Sequence, residues 1–263
     1  RETNFDFENH GYIMGILNMT PDSFSDGGRY NNMEKGINHA KKMINEGAEI
    51  IDIGGESTRP GHVEISWEEE SKRILPIIKE IRNFSDITLS IDTFNYKTFE
   101  KAYKEGGDIL NDINGLKDKN MGLLAKDLSC PVIIMHNVEY VSFDNFLHEI
   151  DKMIERSLSY GIDEDKLIID PGIGFKKDTN NNLEILRNFE RLKEFSFPIF
   201  LGTSKKRFLG RVLKEEDTDE RTEGTVATTV LGYEKGARIF RVHDVKENYR
   251  AMKVSEAIIN GIY

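Results

Sequence analysis

Polar side chains follow eight short apolar runs of this sequence, and they are the residues that could carry chemistry. They are Asn18, residues 56–59, Asp92, Asn111 with Asp112, Met135 with His136, Asp170, residues 204–206, and Arg241 with His243. A strand end that meets water can be polar for no other reason. Asn and Asp recur here, however, where Lys and Glu would be solvated equally well, and this recurrence indicates one shared site.

Four of these side chains can give or accept directed hydrogen bonds, namely Asp92, Asn111, Asp170 and Lys206. Such a set suits a flat heterocycle whose edge carries both donors and acceptors. A buried carboxylate is also well placed to pair with a guanidine-like N–C–N edge, because two parallel N–H groups can reach its two oxygens.

A second group is cationic and contains Arg59, Arg241 and His243, with Asn18 as a neutral oxygen ligand. This combination suits a phosphate or diphosphate bound together with Mg²⁺. Residues 241 and 243 would point to the same face of a strand, because successive side chains alternate. The alternative for Arg241 is a salt bridge to a neighbouring acid such as Asp244.

Other kinds of site have weaker support. The single cysteine, Cys130, precedes an apolar run and reads as a small core residue rather than a nucleophile. Residues 170–175 contain glycines but lack the spacing of a nucleotide-binding loop. His136 has no neighbour at zinc-ligand spacing. Ser204 beside two lysines could be a nucleophile, but nothing near it resembles an oxyanion site.

The elements that must position these residues alternate along the chain. Apolar runs predict strands at residues 13–18, 49–54, 88–92, 108–112, 132–136, 167–170, 199–203 and 237–242. Helical patterns fill residues 32–46, 66–83, 96–105, 120–128, 144–160, 182–195, 206–213, 220–233 and 246 to the end. Eight such units favour one α/β domain, a closed (β/α)8 TIM barrel over residues 1–263 with residues 1–11 as an N-terminal extension. An open doubly wound sheet is the alternative, although the first strand lacks a dinucleotide fingerprint.

Composition limits the partners. The net charge of −10 argues against non-specific nucleic-acid binding. No apolar run approaches the roughly 20 residues of a membrane helix. Residues 1–10 also lack a signal-peptide core, so we expect a cytoplasmic protein without membrane contact.

Seven segments then identify a family. NMTPDSFSDGG (18–28), GGESTRPG (54–61), SIDT (90–93), NDING (111–115), DPGIGF (170–175), TSKKRFLG (203–210) and RVHDV (241–245) resemble dihydropteroate synthase. They follow the family's order and cover the chain from about residue 12 to the end. The first two and the DPGIGF motif are highly specific, whereas SIDT alone is not.

The resemblance implies a (β/α)8 barrel that joins 4-aminobenzoate to 6-hydroxymethyl-7,8-dihydropterin diphosphate and releases diphosphate, with Mg²⁺ as cofactor and a homodimer as the assembly. It implies pterin binding by Asp92, Asn111, Met135, Asp170, Phe175 and Lys206. It implies diphosphate binding by Asn18, Thr58, Arg59, Arg241 and His243, with Asn18 also the metal ligand. The aminobenzoate side would use Asp22, Phe24, Arg59 and Arg207, and the catalytic residues would be Asp92, Lys206 and Asp26.

The first loop, Asp22 to Gly28, is expected to be mobile without ligand. Two positions depart from the family pattern, because Arg207 stands where serine is common and Lys205 where arginine is usual. The backbone N–H groups at the start of the following helix could still receive the aminobenzoate carboxylate. Two rival functions share the pterin set: a methyltransferase domain that moves a methyl group from a folate to a corrinoid protein, and a catalytically idle pterin-binding paralogue.

Overall fold

Eight parallel strands form a closed barrel in which neighbours in the chain pair with each other and the last strand pairs with the first. The computed structural model describes residues 5–20, 28–56 and 64–261, with side chains from residue 32 onward in the middle range. The strands are β1 (Tyr12–Asn18), β2 (Ile50–Gly54), β3 (Thr88–Asp92), β4 (Ile109–Asp112), β5 (Val132–Met135), β6 (Leu167–Asp170), β7 (Ile199–Leu201) and β8 (Ala237–Val242). The predicted (β/α)8 barrel is confirmed, and the open sheet is excluded.

The helices of the described residues lie between and after these strands. They are α1 (Gly28–Glu46), α2 (Trp67–Phe84), α3 (Tyr96–Lys104), α4 (Lys119–Leu128), α5 (Phe143–Ser159), α6 (Thr179–Arg187), α7 (Arg207–Leu213), α8 (Thr222–Glu234) and α9 (Val245–Asn260). Five of them begin at a side-chain oxygen that accepts a backbone N–H of the first turn: Ser66, Asn95, Asp118, Ser142 and Asp178. Such caps satisfy donors that have no partner inside the helix.

Two predicted helices are wrong in extent, and one of them is α1, which begins at Gly28 rather than at residue 32. The stretch expected as a single helix over residues 182–195 is α6 followed by a short 3-10 segment, Phe189–Phe195. The Asp178 cap starts α6 earlier than the apolar pattern suggests. Asn188 ends it, because its side-chain amide donates to the carbonyl of Glu184 at 2.9 Å while its own backbone leaves the helical region. By contrast, α2 covers nearly all of the predicted range, residues 66–83, and contains Pro76.

Each strand divides its side chains between two cores, because alternate residues face opposite sides of the sheet. Inward-facing side chains fill the barrel itself: Met14, Ile50, Ile109, Ile133, Ile168, Phe200 and Ile239. Outward-facing side chains such as Ile13, Leu17 and Ile51 pack against the helices. The strands are therefore buried on both faces, which explains why they read as continuous apolar runs.

The N-terminal segment lies at the opposite end of the barrel from the strand ends that carry the polar residues. Phe5 and Phe7 stack with ring centroids 5.0 Å apart, and both meet Tyr12 edge-on. His10 then bridges two acids, with Nε2 2.8 Å from Glu49 and Nδ1 2.9 Å from Glu256. Aromatic packing and a charged bridge thus hold residues 5–12 against the barrel.

No described helix combines the length and the apolar character that crossing a bilayer requires. The boundary of the N-terminal extension at residue 11 and the cytoplasmic location remain predictions from the sequence.

Candidate active site

A buried hydrogen-bond network joins the carboxyl ends of β2, β3, β4 and β8. The Asp52 carboxylate, which is fully buried, accepts from Ser90 Oγ at 2.6 Å and from Asn111 Nδ2 at 3.2 and 3.3 Å. It also accepts from Arg241 Nε at 2.6 Å. The same guanidinium donates from its NH2 group to Asp92 at 3.0 Å. Sequence positions far apart therefore meet in one polar layer above the apolar barrel core.

Asp92 is the most perturbed acid of this layer. Burial raises the pKa of its carboxyl to about 7, and the nearby charge of Asp52 acts in the same direction, while Arg241 opposes both. A carboxyl of this kind can release its proton when a ligand supplies hydrogen-bond donors. The alternative predicted for Arg241, a salt bridge to a neighbouring acid such as Asp244, is wrong in its partner. Arg241 forms ion pairs with Asp52 and Asp92, whereas Asp244 meets Thr222 Oγ1 and the Lys205 ammonium.

The other side of the site is formed by β6 and the chain that follows β7. Asp170 accepts the backbone N–H of Gly172 at 2.7 Å, and burial raises the pKa of its carboxyl to about 6. Burial lowers the pKa of Lys206 to about 8, although the charge of Asp170 raises it. The Lys206 ammonium donates to the carbonyl of Ile173 and lies 4.7 Å from the ring centroid of Phe175. A carboxylate, an ammonium and an aromatic ring thus share one corner.

The loop after β6 is held in place by backbone that only glycine tolerates. Gly172 has φ of +67°, and a Cβ there would lie 2.0 Å from the carbonyl oxygen of His136. Lys177 closes the same loop, since its ammonium donates to the carbonyls of His136 at 3.3 Å and of Gly172 and Phe175 at 3.0 Å. These contacts fix the positions of Asp170 and Phe175 relative to the end of β5.

Two residues at the end of β5 have different roles. Met135, in register with Asp170, is 3% exposed and belongs to the wall between β5 and β6. His136 is also buried, and burial together with the charge of Lys177 lowers its pKa to about 3. Its ring packs edge-on against the ring of Phe146, with the two centroids 4.8 Å apart. His136 is therefore a neutral core side chain.

Asn18 and Asp92 flank the place where Gly54 lacks a side chain. A Cβ on Gly54 would lie 3.5 Å from Asn18 Oδ1 and 3.7 Å from Asp92 Oδ2. Glycine therefore leaves space between an amide oxygen and a carboxylate oxygen at the ends of β1 and β3. Hard oxygen ligands suit Mg²⁺, which takes few protein ligands and completes its shell with water and phosphate oxygens. The side chains present fit such an ion.

His243 lies two residues beyond Arg241 and is exposed at the barrel mouth. Ser204 Oγ accepts the backbone N–H of His243 at 3.0 Å and lies 2.8 Å from its Nδ1. A hydroxyl that accepts from the backbone can direct its own proton to Nδ1, and this leaves the imidazole proton on Nε2. The ring then carries a donor on the nitrogen turned away from Ser204.

Known proteins resemble this chain in sequence and in fold. Residues 14–243 match the family model described as pterin binding enzyme. The dihydropteroate synthase of Clostridium beijerinckii is 47% identical over 261 residues, covering 97% of both chains. The chain belongs to the dihydropteroate synthase family. Dihydropteroate synthase from Clostridium difficile, crystallised in the presence of pteroic acid, superposes with a TM-score of 0.93 at 46% identity, covering 97% of this chain and 99% of that one. The enzyme of Xanthomonas albilineans in complex with 7,8-dihydropteroate gives a TM-score of 0.89 at 33% identity, covering 97% and 95%.

Both departures from the dihydropteroate synthase pattern lie around the start of α7. Lys205 points away from the polar layer, with its ammonium 3.2 Å from Asp219 and 3.2 Å from Asp244. Arg207 is the first residue of α7 and is exposed. Arg207 therefore places a solvated cation beside Lys206, at a position where the family pattern has serine.

Five residues predicted from the dihydropteroate synthase motifs lie outside the described residues, and their roles stay predictions. They are Asp22, Phe24, Asp26, Thr58 and Arg59. The expected mobility of the first loop lies there as well.

Sequence reasoning missed three side chains that lie in or beside the described site. Asp52 lies inside a strand rather than at its end, so a search of strand ends passes over it. Ser90 has the same position in β3. Lys177 reads as an ordinary surface lysine. The available signal was that Asp52 and Ser90 are polar residues within apolar runs, on the same strand face as the residues that end those strands, Gly54 and Asp92.

Proposed function

We infer that this protein is a dihydropteroate synthase, which condenses 6-hydroxymethyl-7,8-dihydropterin diphosphate with 4-aminobenzoate and releases diphosphate. One observation carries the inference: the buried Asp92–Asn111 layer and the Asp170–Lys206 corner lie at the same end of the barrel as Arg241 and His243. A heterocycle with a mixed donor and acceptor edge fits the buried groups, and an anionic leaving group fits the Arg241 guanidinium and the N–H of His243.

The reaction we propose is a dissociative substitution at the pterin methylene. The carbon–oxygen bond breaks first, and its electron pair leaves with the diphosphate. The resulting cation is conjugated with the electron-rich pterin, and the carboxylates of Asp92 and Asp170 can stabilise it. The amine lone pair of 4-aminobenzoate then forms the carbon–nitrogen bond, and the nitrogen loses a proton that the released diphosphate can accept. No covalent intermediate with the enzyme is needed.

Charge neutralisation at the leaving group falls to Arg241 and His243. An imidazole with its proton on Nε2 can donate to a phosphate oxygen while Ser204 holds the other nitrogen. Asn18 would hold Mg²⁺, which when bound neutralises charge that develops on the diphosphate. Thr58 and Arg59 are proposed for the same side because of the family motif.

We propose that 4-aminobenzoate binds at the mouth near α7, where Arg207 can meet its carboxylate. Asp22 and Phe24 are proposed to cover it, and Asp26 and Lys206 to take part in catalysis with Asp92. Exclusion of water by the first loop, which carries Asp22, Phe24 and Asp26, would protect the pterin methylene cation from hydrolysis.

A product assay tests the function and separates it from its rivals. The purified protein is mixed with the pterin diphosphate, Mg²⁺ and labelled 4-aminobenzoate, and labelled dihydropteroate is measured. We expect product, and Asn18→Ala should lower kcat much more than it lowers affinity for the unphosphorylated dihydropterin. A protein that binds the dihydropterin at an intact site and yields no product would instead be a methyltransferase domain or an idle paralogue. A covalent pterin–protein adduct trapped in a single turnover would overturn the proposed mechanism.

A homodimer is also proposed. Five large apolar side chains of the packed pair α8 and α9 are exposed, at 37–76%: Val230, Leu231, Val254, Ile258 and Ile259. Apolar side chains concentrated on one part of a surface are typical of protein interfaces. Sedimentation velocity should give a dimer for the natural protein and a monomer for Ile258→Glu, and a monomer in both cases would refute the assignment.

A further inference from the structure

The Asn111 amide is held in one orientation by the residue beneath it. Its Nδ2 lies 3.2 Å from one oxygen of Asp52 and 3.3 Å from the other. A flipped amide would set its carbonyl oxygen against the same carboxylate, so two acceptors would face each other. Among the hydrogen bonds of the described residues, none reaches Asn111 Oδ1. The amide therefore keeps an acceptor, and its second N–H, for a ligand.

We propose that Asp52 is a positioning residue of the pterin pocket: it fixes the order in which Asn111 presents its acceptor and its donor to the ring. The inference rests on the proposed function, because it assumes that the ligand is a pterin. A pterin edge carries donors and acceptors in a fixed order, and an amide presented the other way round would face each of them with a like group. Asp52 itself is fully buried beneath this layer and acts through Asn111.

The contacts of Asp52 make Asp52→Asn a specific perturbation. One carboxylate oxygen accepts from Ser90 Oγ at 2.6 Å, and the other accepts from Arg241 Nε at 2.6 Å. Arg241 can only donate, so the new amide must keep its oxygen on the Arg241 side. Its NH2 group then faces Ser90 and Asn111. Ser90 can turn its hydroxyl and accept. An unflipped Asn111 keeps its contact with the retained oxygen at 3.3 Å, but its contact at 3.2 Å becomes one between two NH2 groups, which a flipped amide relieves by accepting there.

The experiment measures the affinity for 6-hydroxymethyl-7,8-dihydropterin by calorimetry in a double-mutant cycle of Asp52→Asn and Asn111→Ala. Asp52→Asn should weaken binding at least about tenfold, because ring groups are left facing like groups. In the Asn111→Ala background the same change should weaken it less than about threefold. Equal losses in both backgrounds would overturn the proposal. Ser90→Ala is the matched control, since it removes another donor from the same carboxylate and carries no group to the ligand, so its affinity should stay within about threefold.

A measurement on the unaltered protein covers the case in which Asp52→Asn does not fold. In protein labelled with ¹⁵N-asparagine, the Asn111 side-chain protons should be protected from solvent exchange before any ligand is added, because Asp52 holds Nδ2. Exchange at the rate of an exposed amide would refute the proposal. If the unaltered protein does not bind the dihydropterin, the proposed function is refuted. If Asp52→Asn binds it normally, only the proposed positioning role of Asp52 is refuted.

Discussion

Gly172→Ala gives the sharpest test of how the loop after β6 holds the site. Its φ of +67° is left-handed, which costs alanine about 1–2 kcal/mol. The new Cβ would also lie 2.0 Å from the carbonyl oxygen of His136, and a backbone atom cannot swing aside as a side chain can. Overpacking of this kind costs about 1–3 kcal/mol. We therefore expect the free energy of unfolding to fall by about 2–5 kcal/mol.

The chain offers a matched control in Gly161, which follows α5. Its φ of +87° is also left-handed, but a Cβ there would meet only the flexible side chain of Lys126, with Cγ at 3.6 Å and Cε at 4.0 Å. Gly161→Ala should therefore lower the free energy of unfolding by about 1–2 kcal/mol, from the backbone alone. Urea denaturation gives the free energy of unfolding of both variants. If the slope of that free energy against urea concentration, the m value, is the same, the difference between the variants measures the effect of the clash.

The functional consequence follows from the same contacts. To relieve the clash the loop must move away from β5, and the Gly172 N–H that holds the Asp170 carboxylate at 2.7 Å moves with it. Dihydropterin affinity of Gly172→Ala should fall at least about tenfold, because small displacements of directed groups are costly. Gly161→Ala should bind normally. Equal stability losses in the two variants, or normal binding by Gly172→Ala, would refute the reasoning.

Three further predictions concern titratable groups. The pKa of Asp92 is raised to about 7, and hydrogen-bond donors of the pterin ring favour its ionised form, so dihydropterin affinity should fall as the pH drops from 8 to 5. Calorimetry in buffers of different ionisation enthalpy should detect proton release on binding near pH 6. Binding without proton release would contradict this prediction. The charged and titratable groups that act on Asp92 are Asp52, Arg241, Glu70, Asp112 and Lys206. The hydrogen bond with Glu49 raises the pKa of His10 above its ordinary value of 6.5. The ion pairs of His10 therefore stabilise the fold fully below pH 6.5, and this contribution is lost as the pH rises through the raised pKa of the folded state. His10→Gln should lower the free energy of unfolding by up to about 1 kcal/mol at pH 6 and by less at pH 9, as measured by thermal melts. Burial raises the pKa of the Cys130 thiol to about 12, so it should resist thiol reagents at pH 8 until the protein is denatured, and rapid labelling of the native protein would show otherwise.

The sequence was sufficient for the barrel because its strands are buried on both faces. Such strands appear as apolar runs, and the first polar residue after a run marks the carboxyl end of the strand. Asn18, Asp92 and Asp170 each end a strand in the structure, where this rule expects them. The rule does not extend to helix ends, where local hydrogen bonds decide. Asp178 and Asn188 set the limits of α6 through single side-chain contacts that no apolar periodicity records.

The interior of the site was harder to predict because its side chains find their partners only when the sheet closes into a barrel. Arg241 and Asp52 are 189 residues apart, and they meet because β8 pairs with β1 and β1 with β2. In an open sheet of the same strand order the two residues would lie near opposite edges, and Asp52 would be a buried charge without a cation. A buried carboxylate without a partner is strongly disfavoured. The Asp52–Arg241 pair is thus a consequence of the closed barrel. An aspartate inside the apolar run of β2 therefore predicts, from the sequence, that a cation from a distant strand pairs with it.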